Sequence, residues 1–131
     1  TDVPKYLIHP PKAVLPLFPA RVRPIKGRVI LVEGIFDMLN LHDKGLDNVM
    51  CCFGTRNIDI DKLKLLKMQG VQSVDILFDP DEAGQEASIK VQELCDIAEI
   101  LSQNIKIPVA LGDAGALNKE KVKQLKEQLY G

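Results

Sequence analysis

Much that would make this 131-residue chain easy to classify is missing. No apolar run approaches the roughly 18 residues that a membrane span requires. No N-terminal series of basic, apolar and small residues reads as a signal peptide either, so a cytoplasmic setting is expected. Three cysteines, Cys51 beside Cys52 and Cys95 alone, fit neither a disulfide framework nor a zinc spacing, and are expected to be reduced, buried fillers. His9 and His42 have no partner at ligand or triad spacing. No Gly-x-Gly-x-x-Gly follows the first apolar run, which removes Gly34 from consideration as a dinucleotide loop. An EF-hand at Asp79 is excluded because its fifth and twelfth loop positions would be Ala83 and Lys90, where oxygen ligands are needed.

What is present is an ordinary soluble composition, 46% hydrophobic and 27% charged, at a length suited to one domain. The net charge of −1 conceals an asymmetry. Residues 1–28 carry Lys5, Lys12, Arg21, Arg23, Lys26 and Arg28 against Asp2, a net +5, which leaves −6 on the remaining 103. Six of the eight prolines also fall in this front segment, and each denies it a backbone donor, so residues 1–27 read as an extended arm or linker. Such an arm either only connects or touches phosphates through its cations. Because the chain opens inside it, a piece of a longer protein is expected.

From Arg28 onward the pattern alternates. Apolar, β-branched runs at 28–33, 48–53, 74–78 and 105–111 read as strands. Helical patterns follow at 35–44, 61–69, 83–101 and 118–130, the third with Ala83, Ala87, Val91, Leu94, Ala98 and Leu101 on one stripe. Pro108 puts the fourth run at a sheet edge. Near-continuous apolar strands alternating with helices predict an α/β fold, a mainly parallel four-stranded sheet covered on both faces. In such a sheet the C-terminal strand ends share one rim, where ligands bind. Glu33, Gly54-Thr55, Asp79 with Asp81, and Asp113 would converge there.

Carboxylates gathered in a partly dehydrated crevice repel one another by several kcal/mol per close pair at an effective dielectric of about 20. A cation should neutralise them, and hard oxygen donors open to water favour Mg²⁺ or Mn²⁺ with positions left for phosphate oxygens. Beside a basic arm, such a site suggests phosphoryl transfer on nucleotides or nucleic acid. A plainer explanation stands next to it: Asp79-Pro80-Asp81-Glu82 makes a good helix start, with an N-cap, a proline in the first turn and acids favoured by the helix dipole. Glu33 is less suited to capping than Ser, Thr, Asp or Asn would be. Asp37, one turn further on, either favours its helix N-terminus or supports a metal from the second shell of ligands.

Val32-Glu33-Gly34-Ile35-Phe36-Asp37, followed 46 residues after Glu33 by Asp79-Pro80-Asp81-Glu82-Ala83-Gly84, resembles the Toprim domain shared by DnaG-type primases, topoisomerases, some nucleases and recombination proteins. The likeness runs from about Arg28 to Asp113, and its details are most similar to the primase branch: Gly54-Thr55, Ala83-Gly84 and the upstream Pro4-Lys5-Tyr6-Leu7. Pro80 and Leu111-Gly112-Asp113-Ala114 depart from the usual primase pattern. The resemblance implies a compact, Rossmann-like Toprim domain over residues 28–131. Glu33 would be the general acid or base, Asp79 and Asp81 the ligands of Mg²⁺ or Mn²⁺, and Asp37 and Asp113 auxiliary ligands, with Lys26, Arg28 and Arg56 as nucleic-acid contacts. It further implies the catalytic domain of a DNA primase or primase-helicase, acting on single-stranded DNA template and nucleoside triphosphates. Zinc-binding and polymerase or helicase domains would lie elsewhere in the parent protein, so the fragment alone makes little or no primer. A Toprim nuclease and a non-catalytic nucleic-acid-binding scaffold are the alternatives.

Overall fold

The computed structural model describes residue 19 and residues 23–52, 58–106 and 114–131. The chain enters its sheet through a tight turn at Lys26-Gly27, both left-handed at φ 53° and 75°. Ile25 and Arg28 exchange two backbone hydrogen bonds across it, the pairing of a two-residue hairpin whose central positions both need positive φ. Strand β1 (Arg28–Val32) follows, then helix α1 (Ile35–Asp43), β2 (Val49–Cys51), α2 (Ile60–Met68), β3 (Ser73–Ile76), α3 (Glu82–Ile97), β4 (Leu101–Asn104), a 3₁₀ turn (Ala114–Ala116) and α4 (Lys119–Tyr130). All three strand pairings are parallel, in the order β2-β1-β3-β4.

Two cores result, one on each face of the sheet. Successive side chains of a strand point to opposite faces. Val29 and Leu31 of β1 therefore join Val74 and Ile76 under α2 and α3, where Leu63, Leu66, Val91 and Cys95 complete the layer. Ile30 and Val32 face the other way, onto Met38 and Leu41 of α1 and Val122 and Tyr130 of α4. Both faces of β1 are fully buried, which explains why its sequence is a continuous apolar run rather than an alternation. All three cysteines are free and buried, and burial pushes the Cys95 thiol up to about 11. Among the described residues, no helix is long and apolar enough to cross a membrane.

The expected α/β order holds, with one displacement. The stripe that ended at Leu101 runs one turn too far: α3 stops at Ile97, Glu99 takes a left-handed φ of 60°, and Leu101 already begins β4. Among the described residues the strand beside β3 is thus Leu-Ser-Gln-Asn, a polar stretch at 101–104, while the apolar run at 105–111 lies, beyond Lys106, outside the described residues. The side chains of β4 are exposed or half-buried throughout, so it needs no apolar run. Pro108, like most of the arm at 1–27, lies outside the described residues.

Candidate active site

β1 and β3 are central neighbours although β2 lies between them in sequence, so the chain leaves in one direction after β1 and returns on the other side before β3. That reversal is the switch point at which a parallel sheet opens a crevice beyond its C-terminal strand ends. Glu33 emerges directly after β1 and Asp79 shortly after β3. The two meet: the Asp79 backbone N–H donates to Glu33 Oε1 at 3.1 Å.

Around this bond the loop 79–84 is held at several points. Asp81 is the N-cap of α3, its Oδ1 accepting the Gly84 N–H at 2.7 Å. Capping therefore belongs to Asp81 and not to Asp79, and Pro80 precedes the helix instead of occupying its first turn. Gln85 Nε2 donates to the Asp79 carbonyl at 3.0 Å, and Asn104 Nδ2 donates to Gln85 Oε1 at 3.0 Å. Gly84 is buried against the same loop: a Cβ built there would lie 2.3 Å from the Asp79 carbonyl oxygen. Glycine is needed at that position for close approach rather than for backbone angle.

Electrostatics tie the acids together. Burial pushes the Glu33 carboxyl above its ordinary range, and the negative charges of Asp79, Asp81 and Asp37 push it further up, against the opposing pull of the Asp79 N–H. Glu33 thus lies in the field of three of the other four carboxylates expected on the rim. Asp113, Arg56 and Gly54-Thr55 lie outside the described residues. A cation stands at the same end of the sheet: Lys62, in the first turn of α2, is lowered by its own burial and raised by Asp59 and Cys52, and the Cys52 sulfur sits against the Val32 and Glu33 carbonyls.

The raised Glu33 has a stability consequence. A carboxyl whose folded pKa lies above its unfolded value binds its proton more tightly when folded, so stability falls as pH rises from the ordinary glutamate range through the raised one. The penalty is complete above that window and absent below it. Glu33→Gln keeps an acceptor for the Asp79 N–H and removes the charge. In chelator, it should melt at a higher temperature than the parent at neutral pH, with the gap closing as pH drops below the ordinary value of 4.5. A pH-independent gap would show that charge is not its cause.

Lys26 and Arg28 are not brought to this rim. Both precede or open β1, at the opposite end of the sheet. Lys26 Nζ donates to the Tyr130 carbonyl at 2.8 Å, and Arg28 donates to Asp75 Oδ1 at 2.5 Å and to the Leu129 carbonyl at 3.2 Å. Their cations are engaged in fastening α4 to the sheet. Asp75 itself gave a signal that the sequence analysis passed over: a carboxylate inside a buried central strand must be paired. Gln85 and Asn104 gave no comparable signal, since an amide on a helix or at a strand end is ordinary.

The donor chemistry can be tested against a divalent metal. Among the described residues no three His, Cys, Asp or Glu side chains form a group able to hold one. Mg²⁺ does not demand such a cage; it is commonly held by one or two carboxylates, with waters and substrate phosphates completing an octahedron. Asp79 and Asp81 fit that smaller requirement, hard oxygens on a short loop in the negative field of Glu33 and Asp37.

Comparison with known proteins agrees with this fold. Residues 30–118 match the family model described as Toprim-like. The chain is 34% identical over 102 residues to the DNA primase of Chlamydia muridarum, covering 78% of this chain and 17% of that one. With the DNA primase of Clostridium acetobutylicum it shares 37% over 84 residues, 64% of this chain and 14% of the relative. A crystal structure of the Aquifex aeolicus primase, described as its zinc-binding and RNA polymerase domains, superposes with a TM-score of 0.68 at 31% identity, over 80% of this chain and 25% of that one. A small Toprim domain protein from Bacillus stearothermophilus shares the fold at a TM-score of 0.55 and 24% identity, over 78% and 84%. The chain spans only about a sixth of the curated primases it matches. It belongs to the Toprim-like family and is homologous to bacterial DNA primases of the DnaG type.

Proposed function

We propose that this chain is the metal-binding catalytic part of a primase or primase-helicase, with residues 28–131 as its Toprim domain and 1–27 as a basic linker. The observation that carries the reading is the Glu33 carboxylate holding the Asp79 N–H in a field of three further acids. Metal dependence goes with the Toprim domains of primases. Mg²⁺ or Mn²⁺ held by Asp79 and Asp81, with Asp37 and Asp113 as auxiliaries, would supply neutralisation of an incoming triphosphate. The chemistry is positioning and charge stabilisation more than covalent catalysis.

Glu33 has the clearest role among the protein's own groups. Its Oε1 is committed to the Asp79 N–H, which leaves Oε2 to take the proton of an attacking 3′-hydroxyl. A carboxyl raised above its ordinary range by burial suits a group that must both accept and return a proton. As the new oxygen–phosphorus bond forms, the α–β phosphate bridge breaks and pyrophosphate leaves. Single-stranded DNA as template, nucleoside triphosphates as substrates, and zinc-binding and polymerase domains elsewhere in the parent are part of the same reading. Making little or no primer by itself is therefore the expectation for the isolated chain.

Titration with Mn²⁺, followed by paramagnetic broadening of backbone amides, tests the reading. Broadening should centre on residues 33–37 and 79–84 and disappear in the double variant Asp79→Asn with Asp81→Asn. No localised broadening at millimolar Mn²⁺ would remove the metal site and favour a scaffold that only caps its helix. Where Mn²⁺ does bind, cleavage of nucleic acid by the full parent protein without primer synthesis would move the chain to the nuclease branch.

A further inference from the structure

We infer that Gln85 and Asn104 form a positioning relay that holds the Asp79 peptide, and with it the acidic loop, at the strand ends. The inference rests on the proposed metal site and extends it to two residues that touch no substrate.

The relay has a direction dictated by chemistry. The Asp79 carbonyl can only accept, so the Gln85 atom 3.0 Å from it is its amide nitrogen. That leaves Gln85 Oε1 as an acceptor, and the Asn104 atom 3.0 Å from it must be a donor. Neither amide can be flipped without setting two acceptors or two donors against each other. Both ends of the relay are on regular structure. Gln85 lies in the first turns of α3, where side chains lean back toward the helix N-terminus, and here that leads onto Asp79. Asn104 is the last residue of β4, in register with Ile76, the last of β3.

The Asp79 peptide is therefore gripped on both sides. Its N–H goes to Glu33 beyond β1 and its carbonyl to Gln85 on α3, while Gly84 packs against that carbonyl with no room for a Cβ. Glu33 just beyond β1 and Gln85 on α3 hold the backbone of Asp79 directly, and Asn104 of β4 holds Gln85 from behind. A ligand shell left to backbone stiffness alone would lose geometry that metal affinity depends on. Groups that orient metal ligands from behind are commonly worth roughly 10–100-fold in affinity.

The test compares the full 131-residue chain with Gln85→Leu, Asn104→Ala and the double variant, measuring Mn²⁺ affinity by electron paramagnetic resonance and Asp79 amide exchange by NMR without metal. Gln85→Leu should weaken Mn²⁺ by roughly 10–100-fold. It should also speed Asp79 exchange by roughly tenfold, the scale of one hydrogen bond. Asn104→Ala, which leaves the helix untouched, should give a smaller effect of the same kind. Because it acts through Gln85, it should add nothing in the double variant. Wild-type affinity and exchange in Gln85→Leu, or simple additivity of the two substitutions, would overturn the relay. If exchange responds as expected while the parent itself binds no Mn²⁺ at the rim, the relay stands and the metal reading falls.

Discussion

Arg28→Leu should cost about 3–5 kcal/mol of folding stability, the largest loss expected from any single substitution here. The Asp75 side chain is 0% exposed and lies in a central strand, and Arg28 Nη2 meets its Oδ1 at 2.5 Å. On its other oxygen it accepts the Tyr130 hydroxyl at 2.9 Å, and that hydroxyl in turn accepts from Asn48 Nδ2 at 2.7 Å. The guanidinium carbon lies 5.4 Å from the centroid of the Tyr130 ring. Removing the cation leaves a buried carboxylate with a single neutral donor from this group, and burial of an uncompensated charge is what makes half a pair worse than none. Replacing Arg28 and Asp75 together by leucine should recover most of the loss, because apolar packing needs no counter-charge. Urea denaturation of both variants decides it. A loss below about 1 kcal/mol in the single variant would put the pair in the class of weak surface bridges.

Gly84→Ala should behave opposite to an ordinary helix substitution. Elsewhere inside a helix, alanine gains about 1 kcal/mol over glycine. At this position the added carbon would lie 2.3 Å from the Asp79 carbonyl oxygen and 3.0 Å from both its carbon and Asp81 Oδ1. The obstacle is backbone, gripped by Glu33 and Gln85, so it cannot swing aside as a flexible side chain would. Overpacking of this kind costs typically 1–3 kcal/mol, enough to outweigh the propensity gain. Where the loop yields instead, Asp79 and Asp81 leave their places, so Mn²⁺ binding at the rim should fall by more than the stability loss accounts for. The check pairs a urea midpoint with the broadening experiment. A more stable protein with an unchanged rim would mean that the loop has slack and that the close approach is not a constraint.

Both results bear on which features a one-dimensional pattern can carry. Strands β1, β2 and β3 and the four helices among the described residues were legible because burial on two faces forces apolar runs in the central strands, and burial on one face forces the 3.6-residue stripe of α3. The edge strand β4 was not legible. Leu101–Asn104 is half-solvated and polar, so nothing in its composition distinguishes it from a loop, and the apolar run beside it drew the assignment. Glu33, Asp79 and Asp81 were legible as a rim because parallel topology carries strand ends to one side whatever the details. Arg28 shows the limit of reading charge by position: in sequence it closes a basic segment, and in space it faces Asp75, 47 residues away.

The order of elements, the parallel α/β class and the identity of the acidic residues were determined by the sequence alone, since these follow from local periodicity and from what a buried strand tolerates. Tertiary structure decided which acid caps the helix, which cations are spent on the fold, and which amides grip the Asp79 peptide. Those depend on hydrogen bonds between residues far apart in the chain, and a directional bond needs both partners placed in three dimensions before either can be recognised.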